Sequence, residues 1–223
     1  MPKVTVVIPA KNESATIQDV IEGIRPYADE ILVVDGHSTD DTRKIALELG
    51  ARVELDHGRG KGDAVRTAIE KAKGEVVVFI DADGSHEPSD IPKLVAPILG
   101  GEADLVIGSR GRGGSDEAYG TVTDFVRNTG GHVILLAINY RYGVRLTDSQ
   151  NGFRAIRTDV ARALGLKEDL TTIEQEMLMR ALKLGYRVCE VASHEYRRRH
   201  GDSRIVLWKV SHKYLWSLLK GLV

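Results

Sequence analysis

The chain has 223 residues, 42% hydrophobic and 28% charged, the proportions of an ordinary globular protein, which argue against disorder, collagen and coiled coil. Lys and Arg number 31 against 32 Asp and Glu, a formal net charge of −1, so no global field draws in nucleic acid and any anion site must be local. One cysteine, Cys189, excludes an internal disulfide, and its apolar flanks read as a packed structural thiol in a reducing compartment.

A chain of this length buries roughly 70% of its unfolded surface and needs no staple to fold. Its opening residues carry no apolar h-region, so no signal peptide is expected. The longest apolar run, Val133 to Ile138, is far too short to span a bilayer.

In chain order, Val4 to Ile8 is a β-branched run closed by Pro9, and Ile31 to Val34 is another, closed by Asp35-Gly36. Near-continuous apolar strands of this kind suit a parallel sheet covered on both faces. Between them Ile17, Val20, Ile21 and Ile24 recur at helical spacing, predicting a helix over Ser14 to Arg25 with Ser14 as N-cap and completing a βαβ unit. The alternation continues with helices over Asp40 to Leu49, Gly62 to Lys73 and Asp90 to Leu99 and strands at Arg52 to Leu55, Val76 to Ile80 and Asp104 to Gly108. Gly50 and Gly74 read as helix C-caps. The glycine-rich stretch Gly111 to Gly120 reads as a surface loop, and helices over Thr123 to Ala137, Thr158 to Leu164 and Thr172 to Lys183 precede a strand at Tyr186 to Val191. The fold class is therefore α/β, with a mostly parallel central sheet and helices on both faces.

Chemistry concentrates where strands end. Val76 to Ile80 stops at Asp81-Ala82-Asp83, two carboxylates at the edge where open α/β sheets bind ligands, an oxygen set suited to a hard cation such as Mg²⁺ or Mn²⁺ on a nucleotide diphosphate. A solvated turn with two acids is the bland alternative. Asp35 and the segment Pro9-Ala10-Lys11-Asn12-Glu13 bring polar groups to the same edge. Gly58-Arg59-Gly60-Lys61-Gly62-Asp63 fails both the Walker and the dinucleotide templates, yet a glycine-flanked lysine before a helix can still meet an anion through backbone amides and the helix dipole. Arg197, Arg198, Arg199 and Arg204 fall within eight residues, and guanidinium is the side chain of choice for bidentate phosphate contact.

Taken together, Ile8 to Glu13, Val33 through Thr42, Gly60-Lys61-Gly62, Asp81 through His86 with Pro88, Gly108-Ser109-Arg110, Asp148 through Arg154, Glu176, and Arg198 with Gly201 to Arg204 resemble the dolichol-phosphate mannosyltransferases, inverting family 2 glycosyltransferases of GT-A fold. The resemblance covers Val4 to about Arg204. It implies that Pro9, Ala10, Glu13, Asp35, Lys61, Asp81, Ala82 and Asp83 bind the nucleotide, and that Asp81 and Asp83, assisted by Ser85, hold Mg²⁺ or Mn²⁺. It further implies that Arg127, Arg145, Asn151, Arg198 and Arg204 meet the acceptor phosphate, that Asp148 and Glu176 orient arginines, and that Asp83 and Arg198 stand closest to catalysis. Two positions depart from the pattern: Gly36 stands where a second acid is usual, and Asn151 where a serine is usual.

The activity so implied is transfer of mannose from GDP-mannose to a polyprenyl (dolichyl) phosphate at the cytoplasmic membrane face. A UDP-glucose or UDP-N-acetylglucosamine donor, and a soluble transferase acting on a small phosphorylated acceptor, remain as alternatives. Residues 1–204 read as the transferase domain and 205–223 as a basic amphipathic helix with Leu207, Tyr214, Leu218 and Leu222 on one side and Lys209, Lys213 and Lys220 on the other. Such a helix makes a peripheral membrane contact or packs on its own core.

Overall fold

A computed structural model describes residues 3–116, 122–198 and 207–222, the side chains of 122–128 and 207–212 excepted. Seven strands, β1 (Val4–Ala10), β2 (Glu30–Asp35), β3 (Arg52–Leu55), β4 (Val76–Phe79), β5 (Leu105–Ser109), β6 (Arg154–Arg157) and β7 (Val188–Ala192), form one sheet in the order β3-β2-β1-β4-β6-β5-β7. All neighbours pair parallel except β6, which runs antiparallel to both β4 and β5.

Side chains alternate across the sheet and feed two cores. Val6, Ile8, Val33, Val76 and Val78 face α1 (Ile17–Ile24), α2 (Thr42–Glu48) and α4 (Ile91–Leu99). Val7, Leu32, Val34, Val77 and Phe79 face α3 (Lys61–Lys71), α7 (Thr158–Ala163), α8 (Ile173–Lys183) and parts of α6 (Val122–Tyr142) and α9 (Leu207–Leu222). Because both faces are covered, the strands are continuous apolar runs, as β1 and β4 are.

Several local expectations shift. The first helix starts at Ile17 with Thr16 in the cap position and no side-chain cap, so Ser14 lies outside it. Gly50 has φ +76° and closes α2 as expected. Gly74 instead serves close packing, because a Cβ there would stand 2.6 Å from the backbone nitrogen of Thr5. Gly111 opens no plain loop: Arg110–Gly113 form a single helical turn, α5, while residues 117–121 lie outside the described residues. β6 was not expected, since Arg154-Ala155-Ile156-Arg157 is only four residues long and half charged. Its Arg154 is nonetheless only 1% exposed, because the guanidinium donates to the carbonyls of Asn151 and Glu174.

The tail helix is part of the core. Leu218 is 5% exposed within the α3/α8 cluster, with Tyr214 and Leu222 packed beside it. The Tyr214 hydroxyl bonds Thr171, and a Cβ at Gly221 would collide with the Met179 thioether. The stripe of Tyr214, Leu218 and Leu222 therefore faces inward, the side chains of Leu207 and Lys209 lying outside the described residues, and among the described side chains of α9 the apolar ones left outside are Leu215, Trp216 and Leu219. Among the described residues no helix is long and apolar enough to cross a membrane.

Candidate active site

Four elements converge on one patch at the carboxyl end of β1 and β4. Asp81 follows β4, Lys61 opens α3, Glu174 lies in the first turn of α8, and Gly152 precedes β6. The reversed direction of β6 explains the last of these: Arg154 pairs with Phe79, so residues just before β6 arrive where residues just after β4 leave.

The Lys61 ammonium lies 2.7 Å from Asp81 Oδ1 and 2.9 Å from Glu174 Oε1. Burial works to raise the Asp81 pKa, but the Lys61 charge and the His86 ring outweigh it and hold the carboxyl well below the usual range. Burial opposes the charge on Lys61 too, and Asp81 with Glu174 overcomes it, pushing the ammonium above its ordinary value. Lys61 fills the space, leaving a crevice of only about 10 Å³ lined by Pro9, Asp81, Gly152, Arg154 and Glu174 among others. Glu174 Oε2 is buried without a hydrogen-bond partner.

Asp83 lies two residues further on and is 6% exposed. Its Oδ1 accepts the Ser85 backbone N–H at 3.0 Å, and its Oδ2 lies 3.3 Å from Arg198 Nη1. Ser85, 4% exposed, also accepts the Tyr196 N–H on its carbonyl at 2.8 Å. The residues that follow β7 thereby act as a cross-tie: Glu195 makes single-residue bridges to His86 on one side and Ser115 on the other. Asp83, Ser85 and Arg198 are thus brought together, while Asp81 makes its contacts with Lys61 and His86.

Other expected residues are placed differently. Asp148 does orient an arginine, but that arginine is Arg110, gripped through Nε at 2.6 Å and Nη2 at 2.9 Å. Burial would raise the Asp148 pKa, yet Arg110 holds it down. Glu176 accepts the backbone N–H groups of Lys167 and Glu168 and pairs with Arg180, so it fixes the approach to α8 instead of reaching the acceptor arginines. Asn151 is 2% exposed; its amide donates to the Gly108 carbonyl and its Oδ1 accepts the Phe153 N–H, so the side chain builds the turn and is not presented to a phosphate. Arg145 is exposed on the turn after α6. The side chain of Arg127 and all of Arg204 lie outside the described residues.

On the nucleotide side, Pro9 lines the crevice and the Ala10 carbonyl accepts the Gly36 N–H at 2.8 Å. Ala82 is buried in the core. Asp35 is 1% exposed and takes the Ser38 N–H on its carboxylate. Glu13 is half-buried, its carbonyl accepting the first N–H groups of α1. Gly36, the departure from the acidic pair, has Asp56 Oδ2 3.5 Å from where a Cβ would start, so β3 brings a carboxylate close to the position the sequence leaves bare.

Sequence reasoning missed Glu174, and it quoted Arg110 and His86 only as motif residues without a role. Glu174 carried a signal, an acid opening a helix otherwise apolar on one face, but only the topology reveals that this helix start abuts Lys61.

Glycosyl transferase family 2 matches residues 5–165 of the chain. Glycosyltransferase AglJ of Haloferax volcanii is 36% identical over 204 residues, 89% of this chain and 65% of AglJ, so this chain spans just under two thirds of that relative's length. A hexosyltransferase of low-salt glycan biosynthesis, Agl6 of the same organism, is 29% identical over 81% of this chain and 44% of its own. The glucosyl-3-phosphoglycerate synthase of Mycobacterium tuberculosis, solved with Mn²⁺, UDP-glucose and phosphoglyceric acid, superposes with TM-score 0.78 at 28% identity, covering 99% of this chain and 80% of the synthase. The chain belongs to glycosyl transferase family 2 and has the GT-A fold.

Proposed function

We propose that the protein transfers a hexose, with inversion, from a nucleotide sugar to a polyprenyl phosphate at the cytoplasmic membrane face, with GDP-mannose as the first choice of donor. The observation that carries this reading is the 3.3 Å approach of Arg198 to Asp83, which sets a phosphate-binding group beside a carboxylate of the donor end. In the reaction an acceptor phosphate oxygen attacks the anomeric carbon, the bond from that carbon to the nucleotide diphosphate oxygen breaks, and the electron pair leaves with the diphosphate. A phosphate monoester, with a second pKa of about 6, is already anionic near neutrality and needs no strong base.

The demand on the protein is electrostatic, because two anions must be held together. Asp81 and Asp83, with the Ser85 hydroxyl, would supply the hard oxygens that suit Mg²⁺ or Mn²⁺. The ion, when bound, neutralises the donor diphosphate and the charge developing on it. Lys61 supports the same diphosphate, and Arg198 neutralises the incoming phosphate.

A membrane-borne acceptor is supported by the outer surface of α6 and α9. Val133, Leu136 and Tyr140 on α6 and Leu215, Trp216 and Leu219 on α9 are 49% to 93% exposed. The helices meet at their ends, where Arg141 donates to the Leu222 carbonyl and Tyr142 to that of Gly221. Arg141, Lys213 and Lys220 flank these apolar groups, and neither His132 to Tyr142 nor Leu207 to Leu222 contains an acid. Apolar and aromatic groups flanked by Arg141, Lys213 and Lys220, the last paired with Glu168 at 3.5 Å, suit an anionic interface.

The second reading is a soluble transferase acting on a small phosphorylated acceptor, favoured by the inward stripe of α9 and by the likeness to the synthase crystallised with phosphoglyceric acid. Radiolabelled GDP-mannose, UDP-glucose and UDP-N-acetylglucosamine, each offered with polyprenyl phosphate in vesicles or with 3-phosphoglycerate, separate the two. Label extracted into organic solvent supports the first, and label confined to a water-soluble phosphorylated product overturns it.

A further inference from the structure

Among the described residues two that are not glycine have a left-handed backbone, Asn12 with φ +53° and His37 with φ +61°, and they lie on the neighbouring loops that follow β1 and β2. Asn12 is accounted for locally. A short amide tolerates this region, its Oδ1 accepts the Thr39 N–H at 2.8 Å, and its own N–H donates to Ser38 Oγ at 2.9 Å. An imidazole makes no such tie to its own loop, and a conformation of this kind persists only where the surroundings hold it. At His37 they hold the ring: Nε2 lies 3.0 Å from the Asp56 carbonyl oxygen and 3.5 Å from Asp56 Oδ1.

These contacts fix the tautomer as well as the position. A carbonyl oxygen only accepts, so Nε2 carries the hydrogen and Nδ1 is the acceptor of the neutral ring. Gly58 flanks the same edge, since a Cβ there would stand 3.6 Å from Cδ2 and 3.7 Å from Nε2 of His37. The opposite edge, Nδ1 and Cε1, is therefore the one turned away from Asp56 and Gly58, on a side chain that is 52% exposed. The sheet says what meets it. Ligands of open α/β sheets bind at the carboxyl ends of the strands, and β2 stands two strands from β4 across β1, about 10 Å away. With the donor diphosphate at Asp81 and Lys61, the nucleoside extends across Pro9 and Ala10 to the end of β2, where Asp35 and His37 stand.

A fixed acceptor at that place sorts the bases. Guanine and uracil carry a hydrogen on the ring nitrogen of their pairing edge, whereas adenine and cytosine present a bare lone pair there, which would oppose that of Nδ1. We infer that His37 is a specificity-determining residue of the donor site, its Nδ1 accepting the ring N–H of the nucleobase and so admitting guanine or uracil nucleotides in preference to adenine or cytosine ones. This deepens the transferase reading, on which it rests for the presence of a nucleotide.

Titration calorimetry of the full chain with GDP, UDP, ADP and CDP in the presence of Mn²⁺ tests it, on wild type, His37→Gly and His37→Phe. The wild type should bind GDP, UDP or both about 10-fold or more tightly than ADP and CDP, the cost of leaving an acceptor opposed by another acceptor. Both variants should lose this preference, bringing the four nucleotides within a few-fold of one another. Glycine takes a positive φ freely, so His37→Gly keeps the fold, as its melting temperature will show, and it decides the matter even if the phenylalanine variant does not fold. His37→Phe keeps a ring and removes the acceptor. A preference that survives in either folded variant overturns the assignment, and so does a wild type that binds all four alike. Pyrophosphate, titrated on the same samples, reports on the diphosphate end alone. If neither it nor any nucleotide binds the wild type, the donor-site reading fails and the role of His37 with it, whereas nucleotides bound without regard to base remove only the role of His37.

Discussion

The Lys61 ammonium stands 2.7 Å from Asp81 Oδ1, so a cation of the protein itself occupies the flank of the carboxylate proposed to hold a divalent ion. The pair is balanced by Glu174 at 2.9 Å, and the three side chains form one electrostatic unit. Removing the middle charge leaves two acids facing each other.

Lys61→Ala should therefore lower stability by up to about 3 kcal/mol, as breaking a partly buried pair does, and weaken nucleotide diphosphate binding. Adding Glu174→Gln to it should restore part of the stability. Urea unfolding of both singles and the double gives the coupling energy; strict additivity contradicts the unit.

Asp83→Ala should cost on the order of 10²-fold or more in turnover with the fold intact, since it removes an electrostatic stabiliser of the donor end. Circular dichroism and a steady-state assay with and without chelator check it. Full activity in excess chelator contradicts a metal-dependent donor site.

Gly152→Ala adds a Cβ 2.9 Å from Lys61 Nζ and 3.0 Å from Asp81 Oδ2. Because the Lys61 side chain can bend away while the loop cannot, the variant should fold and show donor affinity reduced about 10-fold, roughly 1.4 kcal/mol. Calorimetric titration with the nucleotide diphosphate measures it.

Asp104 offers a test of pH dependence away from the site. Bonds from Arg187 come first among the causes that hold its pKa near 2, with Arg157 adding to them against the effect of burial. A carboxyl with a depressed folded pKa stabilises above its unfolded value and loses that contribution as pH falls through the folded one. The contribution is full above about pH 4 and fades toward pH 2, and its size is at most about 2 kcal/mol because both arginines are near half-exposed. Asp104→Asn should flatten the stability profile across that window, as thermal melts at stepped pH will show.

The two sides of α9 should separate by substitution. Leu218→Ala, in the core, should destabilise by about 2–4 kcal/mol, whereas Trp216→Ala with Leu219→Ser should leave the melting temperature nearly unchanged and reduce co-sedimentation with anionic vesicles several-fold. Unchanged sedimentation contradicts the membrane reading of this surface.

The parallel half of the fold was legible because each strand there is a bare apolar run, as Val4 to Ile8 and Val76 to Ile80 show, ended by a residue that changes character. β6 was hidden: its buried arginine is satisfied by carbonyls from Asn151 and Glu174, a compensation invisible to local pattern. The carboxylates at 81 and 83, and the arginine that stands beside Asp83, were singled out from strand-end chemistry and the resemblance. Glu174 was missed and Arg110 was given no role, since their meaning depends on contacts across 113 and 38 positions of sequence. In the tail, periodicity located an apolar stripe correctly but could not say whether water, lipid or protein lay against it.

The cross-tie after β7 has a mechanical consequence. Glu195 bridges to both His86 and Ser115, and Tyr196 bonds Ser85, so the loop bearing Asp83 and the turn bearing Arg110 share one attachment, and the chain leaving it runs directly to Arg198. Tension on that segment is transmitted to both loops at once. A residue inserted between Glu195 and Arg198 should therefore shift both loops together, and change the Michaelis constants for donor and acceptor in the same direction.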